Sequence, residues 1–461
     1  SWTMTGPSKP VARWRAALAV YGRPRILGMG LLGFSAGLPF LLVFSTLSAW
    51  LTQEDVSRTT IGLFSWVGIT YSIKVFWAPV IDRLPLPLFT RGLGRRRSWM
   101  LLAQLGIAAG LIGMAMTDPQ MDLRGLALWA LLVAFASATQ DVAIDAWRIE
   151  AAPGSWQGAM AATYQAGYRI AILTAGAGAF YLAAGIDWPQ VYLVMAGLMG
   201  VGMITVLFVG EPDVVVTSGT EQREQRVVDF LARSPHWPRR LQQITAWLLE
   251  AVVCPFLDFF ARNGRLALAI LVFVAIFRVT DITLGVMANP FYLDMGYTLE
   301  EIASVAKIFG VGMTIGGAVL GGVLVARYGI MRPLLAGAVL AAGTNLVFAW
   351  LATRSDPGLV GLAMTISADN LAGGMAGSAF IAYLSSLTNT AYTATQYALF
   401  SSLMTLPGKF IGGFSGMAVD GFGYVWFFVL TAIAGVPAIL LVTYLMRVAN
   451  VDRGVAAPER L

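Results

Sequence analysis

Charged side chains lie inside several long apolar runs of this sequence. In the stretch SATQDVAIDAWRIE, Ser137 to Glu150, Asp141 and Asp145 stand four residues apart near the end of one such run. A helix places residues four apart on the same face, where two ionised carboxylates repel each other and one is expected to hold a proton. The pair is therefore a candidate for binding and releasing protons.

Further polar and ionisable residues in apolar runs complete the set of candidates. The carboxylates are candidates for proton coupling: Asp141, Asp145, Asp281 and Asp369. The basic and hydrogen-bonding side chains are candidates for binding an anionic solute: Lys74, Tyr71, Tyr164, Gln165, Tyr168, Arg169, Arg278, Asn289, Lys307, Asn370 and Lys409. An ionised residue at the middle of a membrane helix costs about 2.5 to 3.5 kcal/mol, so such residues usually face a cavity or a partner. The alternative for any one of them is a charge pair that only holds a helix in register, such as Arg278 with Asp281.

The composition indicates that these charges are placed in a membrane protein. The chain has 461 residues, of which 57% are hydrophobic and 12% charged, with a mean hydropathy of +0.71. A helix needs about 20 apolar residues to cross the hydrocarbon core, and that length recurs along the whole sequence. We predict an all-α protein with about twelve spans, at 26–50, 60–81, 98–117, 125–148, 158–184, 188–209, 264–292, 300–326, 332–352, 358–386, 393–416 and 423–446.

The distribution of basic residues predicts the orientation. Arg83, Arg91 and the run Arg95–Arg97 follow the second span, and Arg327 and Arg332 flank the turn after the eighth. Loops of this kind belong in the cytoplasm, so an even number of spans places both termini there. The net charge of +6 is explained by this topology and predicts no nucleic-acid partner.

A polar connection divides the chain into two halves with similar numbers of spans. The two halves show weak similarity at offsets of about 240 residues, which predicts two related six-helix bundles with a site at their interface. In the connection, Leu241, Ile244, Trp247 and Leu248 recur at helical spacing, so an amphipathic helix either lies on the membrane surface or packs on the bundle. The predicted limits are a cytoplasmic segment 1–25, a bundle 26–210, a cytoplasmic linker 211–262, a bundle 263–447 and a cytoplasmic tail 448–461.

Several chemistries are disfavoured by what the sequence contains. There is one cysteine, Cys254, and one histidine, His236, so we expect no catalytic triad, metal site or other cofactor. A phosphate-binding loop of the G-x-x-x-x-G-K-[ST] type is missing from the sequence, which disfavours transport driven by its own ATP hydrolysis. A secondary transporter is the function that the residues favour.

Eight segments, taken together, resemble the AmpG-type muropeptide permeases of the major facilitator superfamily: GFSAGLPF (33–40), TIGLFSWVGITYSIKVFWAPVIDR (60–83), GRRRSW (94–99), ATQDVAIDAW (138–147), GYRI (167–170), VVCPFLDFFARN (252–263), DNLAGGMAGSAFIAYL (369–384) and TATQYALFSSL (393–403). Asp82, Arg83, Arg95, Arg96 and Arg97 also resemble the cytoplasmic loop motif of the superfamily, with PLPLFTRGL as a longer insert. This resemblance implies that these five residues act in a conformational switch.

The resemblance implies a monomeric importer in the inner membrane of a Gram-negative bacterium, driven by protons. Its solutes would be N-acetylglucosaminyl-1,6-anhydro-N-acetylmuramic acid and the peptide-bearing forms, moved from periplasm to cytoplasm for peptidoglycan recycling. In such bacteria this uptake is linked to β-lactam resistance. The cationic candidates would then meet stem-peptide carboxylates, and Tyr71, Tyr164 and Tyr168 would contact sugar rings.

Other functions remain open at this point. A carrier of acetyl-coenzyme A or another organic anion, within the same superfamily, also moves a bulky anion. A membrane receptor that binds muropeptides without moving them belongs to a different class. A drug exporter and a membrane enzyme are weaker alternatives, because buried cations suit cationic drugs poorly and the sequence presents no evident nucleophile and base.

Overall fold

The computed structural model describes residues 10–56, 64–213, 218–249, 253–298, 301–412 and 414–455, and within them the regular structure is helical, without strands. In the first half the α-helices are α1 Pro10–Ala19, α2 Pro24–Leu42, α3 Ser45–Gln53, α4 Ile69–Ser72, α5 Ala78–Arg83, α6 Thr90–Leu93, α7 Arg95–Ala115, α8 Leu123–Ala151, α9 Gln157–Leu173, α10 Ala179–Ala183, α11 Trp188–Leu198 and α12 Gly200–Phe208. The connection holds α13 Ser218–Arg233, α14 Arg239–Leu248 and α15 Cys254–Asn263. The second half contains α16 Ala267–Ile276, α17 Val279–Asp294, α18 Gly310–Tyr328, α19 Met331–Ala352, α20 Gly358–Ser386, α21 Thr393–Leu403, α22 Leu406–Gly412, α23 Ser415–Ala434 and α24 Val436–Val455.

Eight segments of the described chain are long and apolar enough to cross a membrane. They are Pro24–Leu42, Arg95–Ala115, Leu123–Ala151, Trp188–Phe208, Cys254–Gly285, Ser304–Tyr328, Met331–Ala352 and Met417–Val448. The described residues of the other four predicted spans also lie mainly on helices, whereas 60–63 of the second and 413 of the eleventh lie outside the described residues. The second, fifth and eleventh are broken by 3-10, π or turn geometry, and the tenth coincides with α20.

Glycines bring helices within each half into close contact. A side chain on Gly33 or Gly37 of α2 would collide with the backbone of α9, and one on Gly317 or Gly321 of α18 would collide with the backbone of α20. Small residues four positions apart let membrane helices approach closely, which accounts for both contacts. The pair Gly312 and Gly316 has the same spacing but faces open space.

The two halves meet mainly along α9 and α18. A side chain on Gly158, at the start of α9, would collide with Val325 near the end of α18. The Tyr21 hydroxyl donates to the carbonyl of Val319 across the same contact, at 2.7 Å. We call this region, where α5, the start of α9 and the end of α18 lie, the Asp82 end of the molecule. The predicted domain limits stay predictions, and the apolar helical segment of the second half begins at Cys254, inside the predicted linker.

Candidate substrate cavity and gate

A cavity of about 560 Å³ lies between the two halves. Among the described residues its wall carries four carboxylates and four cations, together with tyrosine, glutamine and asparagine side chains. Its polar wall residues include Lys74, Asp141, Asp145, Arg148, Tyr164, Gln165, Tyr168, Arg169, Arg278, Asp281, Asp369 and Asn370. The structure thus brings together most of the candidates that the sequence singled out on separate spans.

On the first half, the two carboxylates of α8 face one lysine. Asp141 and Asp145 lie one helical turn apart, and Lys74 interacts electrostatically with both. Lys74 is placed on a short 3-10 turn, Lys74–Phe76, that interrupts the second predicted span. Two carboxylates carry more negative charge than Lys74 alone offsets, so a second cation is needed to balance the pair.

Arg148 connects this carboxylate pair to the second half. Its Nη2 lies 3.6 Å from Asp145, and its Nη1 donates to the Ser385 hydroxyl at 2.6 Å. The guanidinium group also stacks over the ring of Tyr397, 5.0 Å from its centre. The Asp145 pairing joins residues three positions apart on one helix, whereas the contacts with α20 and α21 join residues more than 200 positions apart and leave no local signal.

The second half contributes one arginine and two aspartates to the wall. Arg278 interacts electrostatically with Asp281, and Asp281 with Asp369 of α20. Arg169 of α9 lies across the cavity, close enough to Arg278 for their like charges to interact. Two arginines from opposite halves are therefore neighbours, an arrangement in which a bound anion relieves their repulsion.

Hydrogen-bonding side chains line the rest of the wall. The rings of Tyr164 and Tyr168 lie 5.9 Å apart on α9, and Gln165 between them faces Gly377 of α20. Tyr71 lies off this wall and packs against Phe40, with ring centres 5.7 Å apart. The side chains of three further candidates lie outside the described part of the structure, namely Asn289, Lys307 and Lys409.

At the Asp82 end, one carboxylate of the first half caps a helix of the second. Asp82 accepts hydrogen bonds from the backbone nitrogens of Ala394 and Thr395, at 2.9 and 2.7 Å, and from the Thr395 hydroxyl at 2.8 Å. These residues form the first turn of α21, whose backbone N–H groups have no partner within the helix and whose dipole favours a negative charge. Asp82 is buried, with 3% of its surface exposed, so these bonds are shielded from water.

The remaining residues of the switch motif brace this contact. Arg96 donates to Asp82 at 2.8 Å and to Glu150 at 2.7 Å, and all three side chains are largely buried. Arg97 donates to the carbonyls of Val206 and Leu207, while Arg83 stacks over the ring of Tyr392 in the second half.

Glu211, which the sequence did not indicate, accepts from the backbone nitrogens of Arg96 and Arg97 at the start of α7. Arg95 is half-buried beside this cluster. The described residues contain no group of histidine, cysteine and acidic side chains that could hold a metal ion.

Comparison with known proteins agrees with this architecture. Residues 29–413 match the profile of the Major Facilitator Superfamily. The chain is 34% identical over 429 residues to "Putative transporter AmpG 4" of Rickettsia conorii, covering 93% of this chain and 98% of that protein. It is 33% identical over 426 residues to the "Anhydromuropeptide permease" of Escherichia coli K12, covering 92% of this chain and 80% of that one.

Solved structures share the fold at low identity. The proton:xylose symporter XylE, bound to 6-bromo-6-deoxy-D-glucose, superposes with a TM-score of 0.60 at 14% identity, covering 93% of this chain and 95% of XylE. A double tryptophan mutant of XylE gives a TM-score of 0.61 at 14% identity, covering 91% and 94%. The all-α architecture, the central cavity and the relatives lead to one assignment: this chain is a multi-pass membrane transporter of the Major Facilitator Superfamily and belongs to its AmpG-type permeases.

Proposed function

We propose that the protein imports anhydro-muropeptides by proton-driven alternating access. The solute is N-acetylglucosaminyl-1,6-anhydro-N-acetylmuramic acid, with or without a stem peptide, and it passes from the periplasm to the cytoplasm across the inner membrane. The observation that carries this proposal is the cavity between the halves, where carboxylates and cations from both sides meet. The name of the Escherichia coli relative, an anhydromuropeptide permease, supports the choice of solute.

The composition of the wall suits a sugar that carries carboxylates. Arg169 and Arg278 from opposite halves can bind one carboxylate between them, which removes the repulsion of two neighbouring cations. Tyr164 and Tyr168 offer ring faces and hydroxyl groups to a disaccharide. A solute bound in this way contacts both halves, so its binding energy depends on how the halves are arranged.

The carboxylates on the wall supply a route for coupling to protons. Lys74 interacts with the charges of both Asp141 and Asp145. When a solute anion approaches Lys74, the lysine offsets less of the negative charge of the two aspartates, and a proton on one of them restores the local charge balance. Asp281 and Asp369 form a second acidic pair in the other half. Protons bound together with the solute and released with it would drive accumulation.

Contacts between the halves at the Asp82 end support an inward direction for the cycle. The contacts of Asp82, Arg148 and Tyr21 with the second half close the Asp82 end. By the distribution of basic residues this end is cytoplasmic, as are both termini. Closure at this end supports a cycle in which solute enters from the periplasm and the Asp82 contacts break during import.

Uptake by reconstituted protein tests the proposal. Radiolabelled anhydro-muropeptide is offered to proteoliposomes that hold the protein in one orientation, with and without an inward-directed proton gradient. We expect accumulation that depends on the gradient and is lost in Asp141→Asn, while Asp118→Asn, an exposed aspartate of a loop, behaves as the unsubstituted protein.

The alternatives make different predictions in the same assay. Binding of the muropeptide without uptake into sealed vesicles would establish a receptor. Competition by acetyl-coenzyme A, rather than by unlabelled muropeptide, would establish the organic-anion carrier. Uptake that does not depend on the proton gradient would contradict the proposed proton coupling but would leave the solute assignment unchanged.

A further inference from the structure

Helix α14 in the connection presents an apolar face that the described residues of the chain leave largely exposed. Leu241, Ile244 and Leu248 lie on one side of this helix and are 48%, 57% and 46% exposed. Trp247 flanks them and is 36% exposed. Three large aliphatic side chains on one exposed helix face are costly in water, so a partner that covers them is expected. The structure therefore disfavours the alternative in which this face packs on the bundle.

The bilayer is the partner within reach. Cys254, at the start of a candidate membrane span, follows Leu248 after five residues, 249–253. Five residues span at most about 18 Å when fully extended, so the end of α14 cannot leave the neighbourhood of the membrane surface. Helix α15 also has exposed apolar side chains, namely Phe256, Leu257 and Phe260.

The charges of α14 select the kind of lipid. The helix begins with Arg239 and Arg240, both exposed, and its sequence RRLQQITAWL contains no acidic residue. Long arginine side chains can reach from the edge of an apolar face to the headgroup level, where they attract anionic lipids. We propose that α14 is a binding surface for anionic phospholipid, lying in the headgroup region at the Asp82 end with Leu241, Ile244 and Leu248 toward the acyl chains.

A network of polar side chains attaches helix α15 to α21, the helix that Asp82 caps. Asp258 of α15 accepts from Arg262, Asn389 and Gln396, at 2.8, 3.0 and 2.9 Å. Gln396 follows Thr395, the residue that Asp82 holds, and also donates to the carbonyl of Pro255. Helix α15, which follows α14 in the chain, and the first turn of α21 are thus joined by largely buried hydrogen bonds.

Depth measurements by spin labelling test the lipid contact in the full chain. In a Cys254→Ala background, which removes the single cysteine, a spin label is placed at Ile244→Cys or, as the matched control on another face of α14, at Gln243→Cys. We expect the label at 244 to collide more with oxygen, and the label at 243 more with a water-soluble nickel complex. Equal access of nickel to both labels would overturn the proposal, as would a label at 244 that neither reagent reaches.

Lipid charge provides the second arm of the experiment. The label at 244 is measured in vesicles of phosphatidylcholine alone and of phosphatidylcholine with phosphatidylglycerol. We expect the label to insert more deeply when phosphatidylglycerol is present. This difference should be lost in the double variant Arg239→Gln, Arg240→Gln. It should be kept in Arg354→Gln, the control, which alters an arginine far along the chain. An unchanged phosphatidylglycerol effect in the double variant would refute the role of these arginines.

Discussion

Asp82→Asn should open the Asp82 end of the molecule. The aspartate accepts three hydrogen bonds from the first turn of α21 and a fourth from Arg96. Asparagine retains one acceptor oxygen, places an N–H₂ group against the donors of Thr395 and removes the charge that complements the helix dipole. Hydrogen bonds to a charged group contribute about 1.5 to 3 kcal/mol each, so losing those to Thr395 costs the closed state about 3 kcal/mol. That is about a 100-fold shift of the equilibrium toward the open arrangement.

A distance measurement between the halves checks this value. Spin labels at Leu88→Cys and Arg332→Cys, both exposed near the Asp82 end, report separation by pulsed electron resonance in the Cys254→Ala background. We expect a longer-distance population in Asp82→Asn, and a smaller one in Thr395→Val, which removes only the hydroxyl donor. The same change at the exposed loop residue Asp118 should leave the distribution as it was.

Two results would refute this account of the gate. If Asp82→Asn gives the distance distribution of the unsubstituted protein, the capping bonds do not hold the halves together. If Asp118→Asn shifts the distribution as much as Asp82→Asn does, the effect is not specific to the cap. In either case closure would depend on the apolar contact of α9 with α18.

Three further predictions concern the cavity and the packing. Asp141→Asn should abolish gradient-driven accumulation without lowering the melting temperature; normal accumulation would contradict its role in coupling. Lys74→Ala and Arg278→Ala should weaken uptake of peptide-bearing solutes more than that of the bare disaccharide, because only the former carry the additional carboxylates; equal losses would indicate structural support. Gly167→Ala should destabilise the protein by about 1 to 3 kcal/mol, because its Cβ would collide with the backbone of α2. Gly154→Ala, which faces open space, is the control in thermal unfolding, and equal stability of the two variants would contradict the close contact.

The helices were predictable where a single physical requirement fixes them. A run of about 20 apolar residues must form a helix in lipid, and α7, α8, α19 and α20 lie close to their predicted spans. The second span was predicted as continuous, whereas the structure has a 3-10 turn at Lys74. Apolar composition reports how long a segment is but does not report where its backbone bends.

The candidate site was predictable as a set of residues but not as a set of contacts. The cost of a charge in hydrocarbon singles out Asp141, Asp281 or Arg278 without any knowledge of the fold. The hydrogen bond between Asp82 and Thr395 joins positions 313 residues apart, so no local sequence pattern predicts it. The sequence likewise does not predict Arg148 as a site residue, because its contacts also join distant positions. In the sequence alone it resembles the basic residue that ends a span.

The equal numbers of charges on the cavity wall have an electrical consequence. Lys74, Arg148, Arg169 and Arg278 balance four aspartates, so the described part of the wall is neutral when all eight side chains are ionised. A solute carboxylate disturbs this balance, and one proton per solute charge restores it. Carrying an uncompensated charge against the membrane potential costs about 2.3 kcal/mol per 100 mV, whereas a neutral load does no electrical work. If one proton accompanies each carboxylate, uptake would depend on the pH difference across the membrane and would not depend on the membrane voltage.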